Sequence, residues 1–439
     1  MVTTLKPEDV NPRIKSLYVS TQDGLAGLLS KESRHVFTYG TQPVTQLDQR
    51  MGISLTMQVQ AASYTSTPMF PVFQTSLPEG FLKDRIVNRF AKTIRMDDMA
   101  LLALSGGNRV GRLRVSPSEE MPVDEVGAES LKQIMENEGS RNLFQELCDQ
   151  YLISPGISGV QPKLLLNAID DISDAHAIAD PAAEMTAMAS MPSMPSQHSK
   201  SSIGEKSMLR GKNLIIKIAG DDYPALSENE FHCLNIAQLA KISVPKFWLS
   251  ADRKRLAIER FDIDHHTGQF LGFEDMVSLQ GKVNNDKYEG SYENIAAAIK
   301  NNASPPLIQA SLDEFFASVV VSVALRNGDA HLKNFGLIYT DPTTDDCKIS
   351  PTYDVVCTTV YLQNDLLALR LGQSKSWPDR KKLIEFGKKI CGVEQPTQVI
   401  DRIIDAVAQY KPDDDSGIWH KMRAEIEQAL LMLSGSRAS

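Results

Sequence analysis

The alternation of apolar and polar positions divides the chain into an N-terminal mixed segment, a central α/β segment and a helical remainder. Over the first 110 or so positions, strand-like runs (SLYVST, HVFTYG, ISLTMQV, VGRLRV) surround a segment in which Phe81, Ile86, Val87 and Phe90 recur near helical spacing. That mixture predicts an α+β domain. From Glu119 to Tyr151 the words LKQIMENEG and NLFQELCDQYL place apolar residues on one face and predict helices. ISPGISGVQPKLLLNA, Ile153 to Ala168, then sets Pro, Gly and Ser before a strand-like LLL, the pattern of a loop bending between two strands.

Between about Asp170 and Lys212 the composition shifts to Ala, Ser, Met and Pro without a sustained period, which predicts a disordered insertion in a surface connection between neighbouring strands. The strand NLIIKIAG, a helix in SENEFHCLNIAQLAKI and the strands VPKFWLS and RLAIERFD complete an α/β lobe. After Gly272 the pattern is mostly helical, interrupted by the polar loop RNGDAHLKNFG and the strand-like GLIYT. KKLIEFGKKI, VIDRIIDAVAQY and WHKMRAEIEQALLML close the chain at helical spacing. The expected division is an N-terminal subdomain over 1–152, an α/β lobe over 153–271 carrying the insertion 170–212, and a helical lobe over 272–439.

Composition changes this picture little. A length of 439 residues suggests two or three domains, and 42% hydrophobic with 23% charged residues are ordinary globular values. A net charge of −9 supplies no basic field for a polyanion, so nucleic-acid contact would need a local patch, and none is found. Cys148, Cys233, Cys347, Cys357 and Cys391 lack metal-type spacing and fit reduced cytosolic thiols, which argues against zinc. The opening MVTTLKPEDVNPRIK lacks a signal-peptide core. FFASVVVSVAL, Phe315 to Leu325, is far short of the roughly 20 residues that span a bilayer and predicts a buried helix. A cytoplasmic protein with no membrane association is expected.

Candidate chemistry lies in the polar loop. Asp329 precedes Asn334 by five positions, the D-x-x-x-x-N spacing of a protein-kinase catalytic loop, which would aim an acceptor-orienting carboxylate and a neutral oxygen ligand at one phosphate. Asp354 follows about twenty residues later, in TYD, where a kinase carries its second metal-binding aspartate. Two hard oxygen ligands suit Mg²⁺. Lys217, inside LIIKI, is a cation in an apolar strand that either snorkels to an edge or faces a cleft. Glu230 is its candidate orienting partner, with Glu228 and Asn229 as exposed neighbours.

Each residue also has a plain structural reading. Asp329 alone is more often a helix cap or turn former, His331 a satisfied loop histidine, Lys217 an edge-strand snorkel and Asp354 a turn residue. The methionines from Met185 to Met194 read as disorder rather than a metal site. Four chemical types in kinase order are what bland causes do not readily produce.

With FQTSLPEGFLKDRIVNRF, ISGVQPK, IIKI, ENEFHCLNIAQLAKISVP, LAIERFD, LRNGDAHLKNFGLIY and ISPTYDVV, the chain resembles the HipA family of toxin serine/threonine kinases along most of its length. The resemblance implies an α+β, two-lobed protein-kinase-like fold of the phosphatidylinositol-kinase type, with an added N-terminal α+β subdomain and a helical C-terminal lobe. It implies ATP and Mg²⁺ as cofactors, Asp329 as catalytic aspartate, and Asn334 with Asp354 at the metal. Ser158, Gly159, Val160, Gln161 and Lys163 match the phosphate-covering loop, Lys217 the ATP lysine, and Glu259 with Phe261 the hinge meeting adenine. His331, Lys333 and Tyr353 would line the same cleft.

It further implies phosphorylation of a protein substrate such as an aminoacyl-tRNA synthetase, growth arrest, and neutralisation by a small helix-turn-helix antitoxin through which operator DNA is mainly reached. The family's autophosphorylated serine falls on Gly156 here, leaving Ser158, Ser154 or the insertion serines for that role. Two rival readings remain at this stage, a small-molecule kinase of the same fold and a nucleotide-binding regulator without catalysis.

Overall fold

In the computed structural model the described residues are 13–40, 48–119 except 76, 91, 93 and 106–108, 128–136, 163–168, 177–179, 212–412 except 221, and 416–435. Strands β1 (Ser16–Thr21), β2 (Gly24–Lys31), β3 (His35–Tyr39), β4 (Tyr64–Ser66) and β5 (Arg114–Ser116) form an antiparallel sheet in the order β4-β3-β2-β1-β5. Alternation sends Leu17, Val19, Leu29 and Phe37 to one face, where Phe73, Phe90, Met99 and Leu102 cover them. Of the helical pattern after SLPEG, the helix Gly80–Phe90 buries Ile86 and Phe90.

ISLTMQV does not form the expected strand; only an isolated bridge joins Ser54 and Met57. Side chains take the backbone groups a ladder would use. The Tyr39 hydroxyl accepts from Ile53 N at 3.0 Å and donates to Met57 O at 2.5 Å, while Glu274 accepts Leu55 N at 2.7 Å.

The second sheet has the order β6-β7-β9-β11-β10-β8, built from β6 (Ala128–Glu129), β7 (Lys163–Ala168), β8 (Ala177–Ala179), β9 (Lys212–Ile218), β10 (Phe247–Ser250) and β11 (Arg255–Glu259). The helix Leu226–Leu239 covers it through Phe231 and Leu234, packed on Phe247, Leu249, Leu256 and Ile258. The insertion does join neighbouring strands β7 and β9, but residues 177–179 inside it form β8 at the opposite edge, paired with β10. Most of the remainder lies outside the described residues, as do most of 119–151.

β12 (Gly272–Asp275), β13 (Gly336–Tyr339) and β14 (Lys348–Ile349) make a small sheet beneath the helices Tyr292–Asn302, Ile308–Ala324, Pro396–Gln409 and Gly417–Ser434. Ile308–Ala324 is the centre of this core, with Phe315, Phe316, Val319, Val320 and Val321 wholly enclosed. Pro305–Ala324 is long and apolar enough to cross a membrane, yet 67% of its apolar window is buried within the protein, so core packing accounts for its composition. The fold is therefore a two-lobed kinase-like α+β structure with an added N-terminal sheet subdomain.

The N-terminal subdomain is joined to the rest through buried carboxylates. Glu274 accepts from Ser54 Oγ (2.6 Å), Leu55 N (2.7 Å), Tyr339 Oη (2.8 Å) and Ser278 Oγ (3.2 Å). Burial raises its pKa and these donors oppose the rise. Asp262 binds the Arg260 guanidinium and accepts Gly111 N at 2.6 Å. Glu274→Ala would leave four donors without this acceptor; the expected loss of unfolding free energy is about 3 kcal/mol in urea denaturation, against near-zero change for an exposed control such as Glu385→Ala.

Candidate active site

Alternation along β9 places Lys217 with Ile215 on the face covered by Leu226–Leu239. It is not an edge lysine, because β7 and β11 flank its strand and Lys163 lies directly across in register. Only 4% exposed, its ammonium donates to Glu230 Oε1 and to Asp354 Oδ1, both at 2.6 Å. Lys163 Nζ lies 4.0 Å from the other Asp354 oxygen. Burial alone would depress the Lys217 pKa, but the two carboxylates outweigh it and hold the charge in place. Burial would likewise raise Asp354, yet Lys217 and Lys163 hold it well below the usual carboxylate range.

The helix that carries Glu230 also positions Asp354. Asn229, expected to be exposed, is fully buried: its amide donates to Cys357 O at 3.0 Å and its oxygen accepts Cys357 N at 2.8 Å. Glu228 is buried too, bound to Arg253 at 2.5 Å and 3.5 Å from His232. The reason lies in the C-terminal helices, which pack over this helix and bring Tyr410 and Trp419 onto His232. Asp354 itself adopts a left-handed backbone (φ 58°), a conformation aspartate tolerates better than most residues.

The polar loop follows the core helix Ile308–Ala324. Asn327 accepts Asp329 N at 3.1 Å, and Gly328 is closed in so tightly that a Cβ would stand 2.0 Å from Asp365 Oδ2. Asn334 sits in the single turn Leu332–Asn334 and donates to Asp329 O (3.0 Å) and Asp354 O (3.4 Å), joining both aspartate segments. Tyr288 Oη donates to Asp329 Oδ1 at 2.7 Å. Burial lifts the Asp329 pKa to about 6 against the pull of the Tyr288 hydrogen bond, with Asp354 adding to the rise. His331 is pushed down to about 3 by burial and by Lys287, so it is neutral, and its Nδ1 has no hydrogen-bond partner.

Lys163, Lys217, Glu230, Asp329, Asn334 and Asp354 thus form one linked group. Tyr353 joins it, donating to Lys333 O at 2.7 Å and stacking on Phe261 with centroids 5.2 Å apart. Lys333 points to Glu79 at 2.7 Å. Glu259 stands apart: its carboxylate turns to Lys246 (3.6 Å) and His265 (3.9 Å), leaving only its backbone for a hinge. Ser154, Gly156, Ser158, Gly159, Val160 and Gln161 lie outside the described residues.

Among the described residues no three His, Cys, Asp or Glu side chains gather as a metal site. The Asp354 carboxylate and the amide oxygen of Asn334, whose nitrogen reaches the Asp354 carbonyl, are nonetheless hard oxygen donors of the type that suits a magnesium ion. Sequence reasoning missed Asn229, Tyr288, Asn284 and Glu79. Glu79 was within the SLPEG word and Asn229 beside Glu230, but nothing in one dimension shows which loop a side chain will meet.

Models described as HipA N-terminal domain and HipA-like C-terminal domain match residues 17–116 and 156–412. A candidate kinase named Y4dM from Sinorhizobium fredii is 30% identical over 181 residues, 38% of this chain and 42% of that protein. A candidate kinase from Haemophilus influenzae is 33% identical over 176 residues, 36% of this chain and 50% of that one. The chain spans about half the length of the curated relatives it matches. The Shewanella oneidensis HipA complex with HipB and operator DNA superposes with a TM-score of 0.64, at 16% identity, over 95% of this chain and 96% of that chain, a likeness of fold.

Removing one member of a buried ion triad leaves uncompensated charge. Lys217→Met is expected to lower unfolding free energy by about 3 kcal/mol in urea titrations, and the double variant Lys217→Met/Glu230→Gln to recover part of that loss.

Proposed function

The chain belongs to the HipA family, and from that premise we propose that it transfers the γ-phosphoryl group of ATP to a serine or threonine hydroxyl of a protein. The reading is carried by one observation: Lys217, Glu230, Asp329, Asn334 and Asp354, spread over more than a hundred residues, are joined in one hydrogen-bonded group. Phosphoryl transfer asks a protein mainly for positioning and for cancellation of charge. Asp329 accepts the proton of the acceptor hydroxyl as that oxygen bonds to phosphorus and ADP departs. Lys217 and Lys163 meet phosphate charge, and Glu230 keeps Lys217 from closing permanently on Asp354. Asn334 and Asp354 would hold magnesium, which when bound neutralises charge between the terminal phosphates. His331, being neutral, adds no positive charge to that of Lys287 near Asp329.

The Shewanella protein of the same fold is complexed with HipB and operator DNA. By analogy this chain is a growth-arresting toxin bound by a small helix-turn-helix antitoxin. With a net charge of −9, it reaches DNA mainly through that partner. An aminoacyl-tRNA synthetase is the proposed target, the cytoplasm the proposed location, and Ser154, Ser158 or an insertion serine the proposed autophosphorylation site.

Phosphoproteomics of cells expressing the wild-type chain against Asp329→Gln tests the whole reading: sites present only with the wild type are expected, and identical phosphoproteomes would overturn it. In vitro, Asp329→Gln should lower the transfer rate at least about a hundredfold with nucleotide binding retained. Asp354→Asn should weaken Mg-dependent ATP binding in calorimetry. The ionised Asp329 is the active form, so kcat/KM is expected to fall as pH drops below about 6 and to level off above it.

A further inference from the structure

The catalytic-loop lysine is held by a residue from the other end of the chain. Glu79 lies in the N-terminal subdomain, just before the helix Gly80–Phe90. Its carboxylate stands 2.7 Å from Lys333 Nζ and 3.8 Å from Lys287 Nζ. The Lys333 side chain is 8% exposed and that of Glu79 19%, so this is not a solvent-screened surface pair. A second tether runs alongside it. Asn284 donates from its backbone to Gln74 Oε1 (3.2 Å) and from its amide to Gln74 O (2.8 Å), while its Oδ1 accepts Lys333 Nζ at 3.4 Å.

Lys333 is the middle residue of the turn Leu332–Asn334, and neighbours fix the turn at Leu332 and at Lys333. Leu332 N donates to Lys287 O at 3.0 Å, and Lys333 O accepts Tyr353 Oη at 2.7 Å. Glu79 therefore grips by its side chain the same residue that Tyr353 grips by its backbone, next to Asn334. Without the Glu79 charge, Lys333 would be a largely buried cation facing the amide of Asn284. Its field also acts on Asp275, a buried carboxylate with one oxygen that has no partner among the described residues.

We infer that Glu79 is a positioning residue for phosphoryl transfer: the N-terminal subdomain supplies the anion that holds Lys333, and through it the turn bearing Asn334. The metal-nucleotide site is then complete only with that subdomain docked. This inference rests on the kinase reading above, and outer partners of metal ligands commonly govern metal affinity by about tenfold or more.

The test is calorimetry of ATP binding at graded magnesium concentrations, using the full chain. Glu79→Gln should weaken Mg-dependent ATP affinity about tenfold, and Glu79→Asp should restore much of it. Ser54→Ala, which cuts a different contact between the same subdomains, should lower thermal stability and leave Mg-dependent affinity unchanged. If Glu79→Gln binds as wild type does, or if Ser54→Ala weakens binding as much as Glu79→Gln, the inference fails while the kinase reading survives. If the wild-type chain shows no Mg-dependent ATP binding at all, both fail together.

Discussion

The ammonium of Lys217 between Glu230 and Asp354 is the interaction on which the arrangement of the cleft depends. A lone lysine in the middle of a sheet, covered by a helix, would carry a desolvation penalty of several kcal/mol. Two carboxylates at 2.6 Å offset that penalty, and each comes from a different element. The sheet, its covering helix and the segment after the catalytic loop are thus bound at one point. Asn229 donates to Cys357 O and accepts from Cys357 N, fixing the same segment three residues on, and Asn334 donates to Asp354 O, so Asp354 is held both by its charge and by its backbone.

A second feature runs through the junction with the N-terminal subdomain. Three carboxylates, Glu79, Asp262 and Glu274, take donors from across it. A carboxylate has two oxygens and no donors, so it can collect several N–H and O–H groups from irregular backbone that a strand ladder cannot reach. Glu274 does this for Ser54 and Leu55, and the Tyr39 hydroxyl accepts from Ile53 N and donates to Met57 O, so the 53–57 segment bonds to side chains rather than to a neighbouring strand. Contacts of this type are directional. They set the angle at which the two parts meet more tightly than apolar packing alone would, and Glu79 places one of them against the turn Leu332–Asn334.

Charge within the cleft is unevenly distributed. Asp354 is kept ionised by two lysines, whereas burial shifts Asp329 toward neutrality against the pull of the Tyr288 hydrogen bond and of Lys287. Two aspartates of one chemical type are thereby given different proton affinities by their surroundings, which suits one to holding a cation and the other to taking a proton.

Much was legible in the sequence because it depends on local rules. The apolar run around Phe315 read as a buried helix and LIIKI as a strand. The family words supplied the order of the lobes. What one dimension could not supply was partnership across distance: that Asn229 and Glu228 turn inward because C-terminal helices pack over them, that Glu259 turns outward to Lys246, that residues 177–179 cross to the far edge of a sheet, and that Glu79 meets Lys333 from 254 positions away. Residue type and spacing determine which chemistry a segment can offer; only the packing of segments against one another decides which polar groups lose their water, and so which must find each other.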